Sequence, residues 1–284
     1  MHEIYKWDDP LQIRMFGKFV LTYKGQQFSF GKSETKLPLY VQFMLLLWLR
    51  GERGATTNEV VKYIYADRPL KNPRNSVNNL IRTANKLMVG YGLPDTEYFC
   101  RIGRYFRAAP DVPLEIDVNH FRNLIMKARN AGDAGGPYYR EAIGCYQGAL
   151  LPELADAPWV AEESFELSSM YREACDTTAQ WEIESGDMKS AESVYEKAHY
   201  LEPGGAWEPR RIEILLRQGR DREAVQVYER TIQRYIRNIR GMRADRIFAC
   251  AADMNSQLLE FVQETEDVFI RVENERAGEQ TRAM

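Results

Sequence analysis

The pattern of apolar and polar positions changes period several times along the first hundred residues. From Gln12 to Phe30 apolar side chains come at short, strand-like intervals (Ile13, Met15, Phe19, Leu21, Tyr23), and Gly25-Gln26 then turns into Phe28-Ser29-Phe30. A period near two punctuated by glycine predicts a small antiparallel sheet. From Pro38 to Arg50 the spacing becomes three and four (Leu39, Phe43, Leu46, Leu47, Arg50), and Gly51 and Gly54 end the predicted helix. A second helix has Thr57 as its expected cap and Val60, Val61, Ile64 and Tyr65 as its apolar side; Asp67-Arg68-Pro69 breaks it. A third runs from about Pro73 to Val89, with Pro73 in its first turn and Val77, Leu80, Ile81, Ala84, Leu87 and Met88 facing inward. Tyr98, Cys100, Ile102, Gly103, Tyr105 and Phe106 predict a hairpin with Gly103-Arg104 at its tip. Sheet, three helices and hairpin is the order of a winged helix with an extra N-terminal sheet.

After Pro110 and Pro113 the pattern turns helical throughout, and we place a domain boundary there. Gly186, Ala191 and Tyr195 recur as Gly219, Ala224 and Tyr228, an offset of 33 residues, close to the 34-residue tetratricopeptide period. Ala142, Tyr146 and Ala149 look like the second helix of an earlier, irregular unit, after a loop from Gly132 to Pro137. The expected fold class is mainly α with a small β component. The expected domains are a winged helix over 1–112, a tetratricopeptide-like all-α domain over 113–272 and a flexible, charge-rich tail over 273–284.

Composition narrows the chemistry. With 284 residues and 44% hydrophobic side chains, two domains can each bury a core. The longest apolar run, Leu37 to Leu49, is interrupted by Gln42 and is shorter than the roughly 18 residues of a membrane span. The first residues lack the basic and apolar regions of an export signal, so a soluble cytoplasmic protein with no membrane association is expected. Cys100, Cys145, Cys175 and Cys250 form no CxxC pair, and His2, His120 and His199 stand in no HExxH spacing. There is no GxxxxGK[ST] loop and no constellation of paired catalytic groups, so neither an enzyme nor a metal or other cofactor is expected. The net charge of −3 conceals a division: residues 1–112 hold 17 Lys and Arg against 10 Asp and Glu, while residues 113–284 hold 21 against 31. A basic front half suggests a polyanion-binding module joined to one with another task.

Candidate contacts follow from that division. The polar side of the third helix carries Asn75, Asn78, Asn79, Arg82 and Lys86, with Lys71 and Arg74 at its N-terminal end; the hairpin adds Arg101 and Arg104. Asn pairs bidentately with adenine and Arg with guanine, and the remaining cations suit phosphates, so double-stranded DNA is the expected partner. In the back half Arg230, Arg234, Arg237 and, slightly off the line, Arg240 lie at helical spacing within a segment, 209–246, that holds 11 basic and 5 acidic residues. That stripe suits a small phosphorylated effector, RNA, flanking DNA, or the acidic face of its own domain; a solvated face pairing with Glu229 and Asp245 is the plain alternative.

The chain resembles the SARP family of bacterial regulators, an OmpR-type winged helix followed by a bacterial transcriptional activation domain. Ile13-Arg14-Met15-Phe16-Gly17-Lys18-Phe19 is similar to that family's "LGxF" strand, Tyr63-Ile64-Tyr65-Ala66-Asp67 to its "LWPD", and Ile102-Gly103-Arg104-Tyr105 to its wing "GY". Ile116-Asp117-Val118-Asn119-His120-Phe121 is similar to "vDxxxF", and Tyr146-Gln147-Gly148-Ala149-Leu150-Leu151-Pro152 followed by Trp159 to "YxGxfLp…W". The resemblance implies promoter binding as a homodimer, with the back half helping dimerisation and contacting RNA polymerase. It departs from the family in the third helix, where Asn85-Lys86-Leu87 replaces the usual "LR" and cations are fewer, implying weaker and less salt-sensitive DNA binding. An interaction scaffold, or a sensor of an effector such as a cyclic dinucleotide, built on a degenerate winged helix is the alternative from another class.

Overall fold

The most apolar stretch of the chain becomes its central helix. The computed structural model describes residues 7–30, 37–66, 68–203, 207–241 and 247–282, without the side chains of 239–255 and 279–282. Of the positions named above, His2, Asp67 and Asp245 and the side chains of Arg240 and Cys250 lie outside that set. Helix α1 (Leu39–Arg50) buries Val41 and every residue from Phe43 to Leu49. A helix that is apolar all round has to be covered on all sides. Phe19 meets Trp48 at 6.4 Å between ring centroids; Phe99 meets Trp48 at 5.4 Å, and Phe106 meets Phe43 at 6.2 Å.

Phe19 directly precedes a strand of one small sheet, and Phe99 and Phe106 come from a second. The first has the order β3-β2-β1-β7, with β1 (Leu11–Arg14) antiparallel to β2 (Val20–Tyr23), β2 antiparallel to β3 (Gln26–Phe28), and β1 parallel to β7 (Leu114–Ile116). The second has the order β4-β6-β5, in which the hairpin β5 (Phe99–Ile102) and β6 (Tyr105–Ala108) is joined by β4 (Ala55–Thr56). Between them lie α2 (Thr57–Val60), continued by a wider π-helical turn over Val61–Tyr65, and α3 (Pro73–Gly90). The N-cap of α2 is Thr56, one residue before the expected Thr57. Glu59 decides this: it stands third after Thr56, so its carboxylate accepts from the Thr56 N–H at 2.9 Å while its own N–H donates to the Thr56 hydroxyl.

The parallel strand β7 was not legible in the sequence, and it brings the start of the back half onto the N-terminal sheet. Directly after it, α4 (Asp117–Ala131) begins. The Asp117 carboxylate accepts from the N–H groups of Met15 and Phe16, each at 2.9 Å, and from that of Val118 at 2.8 Å. Burial raises the Asp117 pKa despite these donors, so its contribution to stability is fullest in acid and declines as pH rises through the folded-state value. Beside it the Gly17 N–H donates to the Ala149 carbonyl and the Leu151 N–H to the Met15 carbonyl, each at 2.9 Å. Gly17 has φ +74 and Gly148 φ +126, and the two backbones pass so closely that a Cβ on Gly17 would stand 2.6 Å from the Gln147 carbonyl oxygen. Phe16, Phe121 and Tyr146 close a ring cluster beneath, at 4.6 to 5.9 Å, and Tyr171 stacks on Tyr146 at 4.0 Å.

This extended passage corrects one expectation. Helix α5 (Gly136–Cys145) ends before Tyr146, so Tyr146 and Ala149 do not continue a repeat helix; the chain there is committed to backbone pairing with Phe16 and Gly17.

The chain divides into two compact units, Met1–Tyr171 and Arg172–Met284, with the division inside α6 (Pro158–Glu184). In the second unit α7 (Met188–Leu201), α8 (Glu208–Arg217), α9 (Asp221–Gly241) and α10 (Ile247–Arg282) follow in order. The 33-residue offset is a repeat of backbone hydrogen bonds. Gly186 donates to Ile183 and Asp187 to Glu182; Gly219 donates to Leu216 and Arg220 to Leu215. Each is a Schellman turn with glycine at positive φ, which is why glycine recurs there. Ala191, Ala198 and Ala224 are fully buried at the helix crossings. The core of α8, α9 and α10 is built on Ile212, Leu215, Ala224, Phe261 and Val268.

The Gly17 contact predicts a measurable asymmetry. Gly17→Ala should cost about 2 kcal/mol or more, from strain at positive φ plus the collision with Gln147. Gly25→Ala, at φ +77 but with nothing within 4 Å, should cost only about 1 kcal/mol. Urea midpoints of the two variants measure the difference; equal losses would remove the contact from the account.

Candidate nucleic-acid interface

Helix α3 is a two-faced element. Its N-cap Asn72 accepts from the Asn75 N–H at 3.0 Å, Pro73 occupies the first turn, and Val77, Leu80, Ala84 and Met88 are buried. At 3.6 residues per turn, Asn75, Asn79, Arg82 and Lys86 then fall within about 60° of one another, opposite the buried stripe. All four are exposed, as are Lys71 and Arg74 before them; Asn78 is half-buried at the side. Four of the candidate residues therefore share one exposed row, and Asn78 lies off it.

The hairpin presents the second group. Gly103, at φ +61, opens a two-residue turn, and Arg101, Ile102 and Arg104 are exposed around it. The Arg101 Nε–H donates to the Gly103 carbonyl at 3.0 Å, and the Tyr105 ring lies between the guanidinium groups of Arg104 and Arg107, at 5.0 and 5.6 Å. Arg107 itself is half-buried and turned back toward Gly54.

The residue that joins helix to hairpin is Asn85. Its Oδ1 accepts from the N–H groups of Tyr98 at 3.0 Å and Phe99 at 2.9 Å, and its Nδ2 donates to the Phe99 carbonyl at 2.8 Å. The sequence shows Asn85 only as a departure from the "LR" pattern; the structure shows it satisfying three backbone groups of Tyr98 and Phe99, at the start of β5. A mid-helix asparagine is unfavourable by propensity, and that is the signal that could have marked it as serving a purpose.

Charge pairing differs sharply between the two regions. Lys71, Arg74, Arg82, Lys86, Arg101 and Arg104 make no ion pair among the described residues. In the second unit Arg210 pairs with Asp176 at 2.6 Å, Arg211 with Glu196, Arg217 with Glu213 and Glu275, Arg220 with Glu192 and Glu223, and Arg271 with Glu213. Arg234 belongs with these. Its guanidinium lies 2.6 Å from the carboxylate of Glu208, which is only 4% exposed, so it does not stand free in the expected arginine stripe. A carboxylate buried to that degree requires such a partner. His199, beside Glu208, has its pKa lowered by burial first, with Arg234 and Arg211 adding to the shift. Arg230 and Arg237 are exposed and unpaired among the described residues. A groove of about 660 Å³ in the second unit is lined from α6, α7, α8 and α10, with Trp181, Pro209 and Val268 as apolar lining and Asp176, Arg210, Glu213 and Asp267 as charged lining.

Residues 116–251 match the family model described as bacterial transcriptional activator domain. Just under half of the chain is thus similar to that domain. That bears out the resemblance to SARP/BTAD-type regulators. Among solved structures the chain is similar to one described as Mycobacterium tuberculosis EmbR in complex with low affinity phosphopeptide, at 15% identity and a TM-score of 0.60, over 91% of this chain and 69% of that one. At that identity the likeness is one of fold: mainly helical, with a small N-terminal sheet region. No curated protein sequence matches the chain. The matched span opens at Ile116, the residue before Asp117, and contains the Gly148 crossing and both Schellman turns. No helix among the described residues is long and apolar enough to cross a membrane, and no group of three or more His, Cys, Asp or Glu is placed to hold a metal ion.

Asn85→Ala should lower unfolding stability by about 1–3 kcal/mol, because it strands the N–H groups of Tyr98 and Phe99. Asn79→Ala, which breaks no internal bond, should stay within about 0.5 kcal/mol of the parent. Parallel denaturation curves test this; comparable losses would contradict the assigned roles.

Proposed function

We propose that the protein is a DNA-binding transcriptional regulator, with α3 in the major groove, the β5–β6 hairpin on phosphates and the adjoining minor groove, and the activator domain serving homodimerisation and contact with RNA polymerase. On this reading residues 1–112 carry DNA recognition and 113–272 the assembly. The observation that supports it best is the segregation of charge. Six cations on α3, its approach and the hairpin have no acidic partner among the described residues, whereas Arg210, Arg211, Arg217, Arg220, Arg234 and Arg271 of the second unit are each paired with a carboxylate. Unpaired cations gathered around a polar helix face are what a polyanion requires.

The reading makes a quantitative claim. If Lys71, Arg74, Lys86, Arg101 and Arg104 face phosphates, log K against log salt should fall with a slope of roughly −4 to −5 per bound protomer, and Lys86→Ala should reduce that slope by about 0.9 on every sequence. Fluorescence anisotropy on a labelled duplex from upstream of the protein's own coding region, titrated from low salt, measures both. No binding at low salt would end the proposal.

A second reading has one observation in its favour: Arg230 and Arg237 are exposed on α9 with no acidic partner among the described residues, as a phosphorylated ligand would need. The EmbR structure holds a phosphopeptide, which is consistent with a phosphorylated partner here. In this scheme the chain is a scaffold or effector sensor, with a cyclic dinucleotide as one probe. Calorimetry on the parent and on the Arg230→Glu, Arg237→Glu double variant should show phosphoryl-ligand binding lost in the variant and DNA binding kept. Absence of binding to the parent would dismiss it.

A further inference from the structure

We infer that α3 reads a short mixed element in which two adenines and one guanine are recognised along about four base pairs, by Asn75, Asn79 and Arg82. This rests on the DNA-binding reading above and specifies its target.

The argument begins with the unemployed asparagines. Asparagine is a poor residue inside a helix, because its carboxamide competes for backbone groups. At Asn72 and Asn85 the structure shows what the carboxamide is for: one side chain caps α3, the other binds three backbone groups of Tyr98 and Phe99. The carboxamides of Asn75 and Asn79 make no hydrogen bond among the described residues, and both are exposed on the row opposite the core. Their donor and acceptor atoms are free to act together. That pair of atoms matches the N6 and N7 edge of adenine in the major groove, and the fork of Arg82, next along the row, matches the O6 and N7 edge of guanine.

Spacing sets the order. Along a helix rising about 1.5 Å per residue, Asn75 and Asn79 stand roughly 6 Å apart and Arg82 a further 4.5 Å on. A helix lying along the groove therefore presents them across about three base-pair steps, at 3.4 Å per step. The row closes with Lys86, whose ammonium is a point charge suited to a phosphate. What the helix lacks is equally informative. From Pro73 to Gly90 there is no Asp or Glu, so the carboxylate acceptors that best suit the N4 amino group of cytosine are missing from it. The hairpin points the same way. Ile102, 47% exposed, stands at the tip between Arg101 and Arg104, and narrow A·T-rich minor grooves attract arginine and accept apolar wedges.

Selection of bound duplexes from a random DNA pool, with the full chain at low salt, tests this. The parent should enrich two adenine columns and one guanine column within about four positions. Asn79→Ala should erase one adenine column and Arg82→Ala the guanine column, each reducing discrimination about ten-fold or more, with circular dichroism unchanged. Lys86→Ala should weaken all sequences alike. Enrichment of bound DNA without these columns, or columns that survive in the variants, would overturn the inference while leaving the DNA-binding reading in place. A parent that retains no DNA at all would overturn both.

Discussion

The first unit depends on one close passage of backbone, where Gly17 and Gly148 cross. There is no room for a side chain on Gly17, and the carbonyl of Gln147 occupies the place a methyl group would need. Everything on either side is arranged to hold the crossing. Hydrogen bonds from Gly17 and Leu151 tie the two segments, Asp117 neutralises the N–H groups of Met15 and Phe16 where β1 ends, and the rings of Phe16, Phe121, Tyr146 and Tyr171 fill the space below. Three stretches far apart in sequence, at 13–19, 116–121 and 146–152, are thus parts of one structural joint. Their likeness to family motifs has a mechanical cause that involves no ligand.

Charge follows the same economy. In the helical repeats, antiparallel helices bring acidic and basic side chains into register, so an arginine usually finds a carboxylate nearby, as Arg210 finds Asp176 and Arg234 finds Glu208. Around α3 none of the described acidic residues pairs with Lys71, Arg74, Arg82 or Lys86. Solvent-exposed pairs stabilise little, so the difference between the two regions bears on binding more than on folding.

Much of this was legible in the sequence wherever a local rule governed. The apolar stripe of α3, the Gly103 turn and the 33-residue recurrence each arise from periodicity or from a backbone conformation that favours glycine, and each appears in the structure. What escaped was non-local. The strand β7 is three residues long and pairs with a segment a hundred residues earlier; no local pattern announces that. Thr56 displaced Thr57 as a cap because the position of Glu59 decides between them. Arg234 looked like one of a free stripe because the sequence could not show that Glu208 lies buried against it. Asn85 looked like a lost cation because its three hydrogen bonds go to residues 98 and 99.

The parallel pairing of β1 with β7 also carries a consequence for how the chain assembles. The intervening residues include three helices and the hairpin, all held by contacts much closer in sequence, whereas joining β7 to β1 closes a loop of about a hundred residues and must meet the entropy of doing so. Local elements form fast and distant pairings slowly. During synthesis the helix-and-hairpin module can therefore mature while one edge of β1 is still bare, and an unpaired strand edge is a template for aggregation until its neighbour arrives. Completion of the sheet waits for Leu114–Ile116, so the emergence of those residues from the ribosome sets the earliest moment at which the N-terminal sheet is finished.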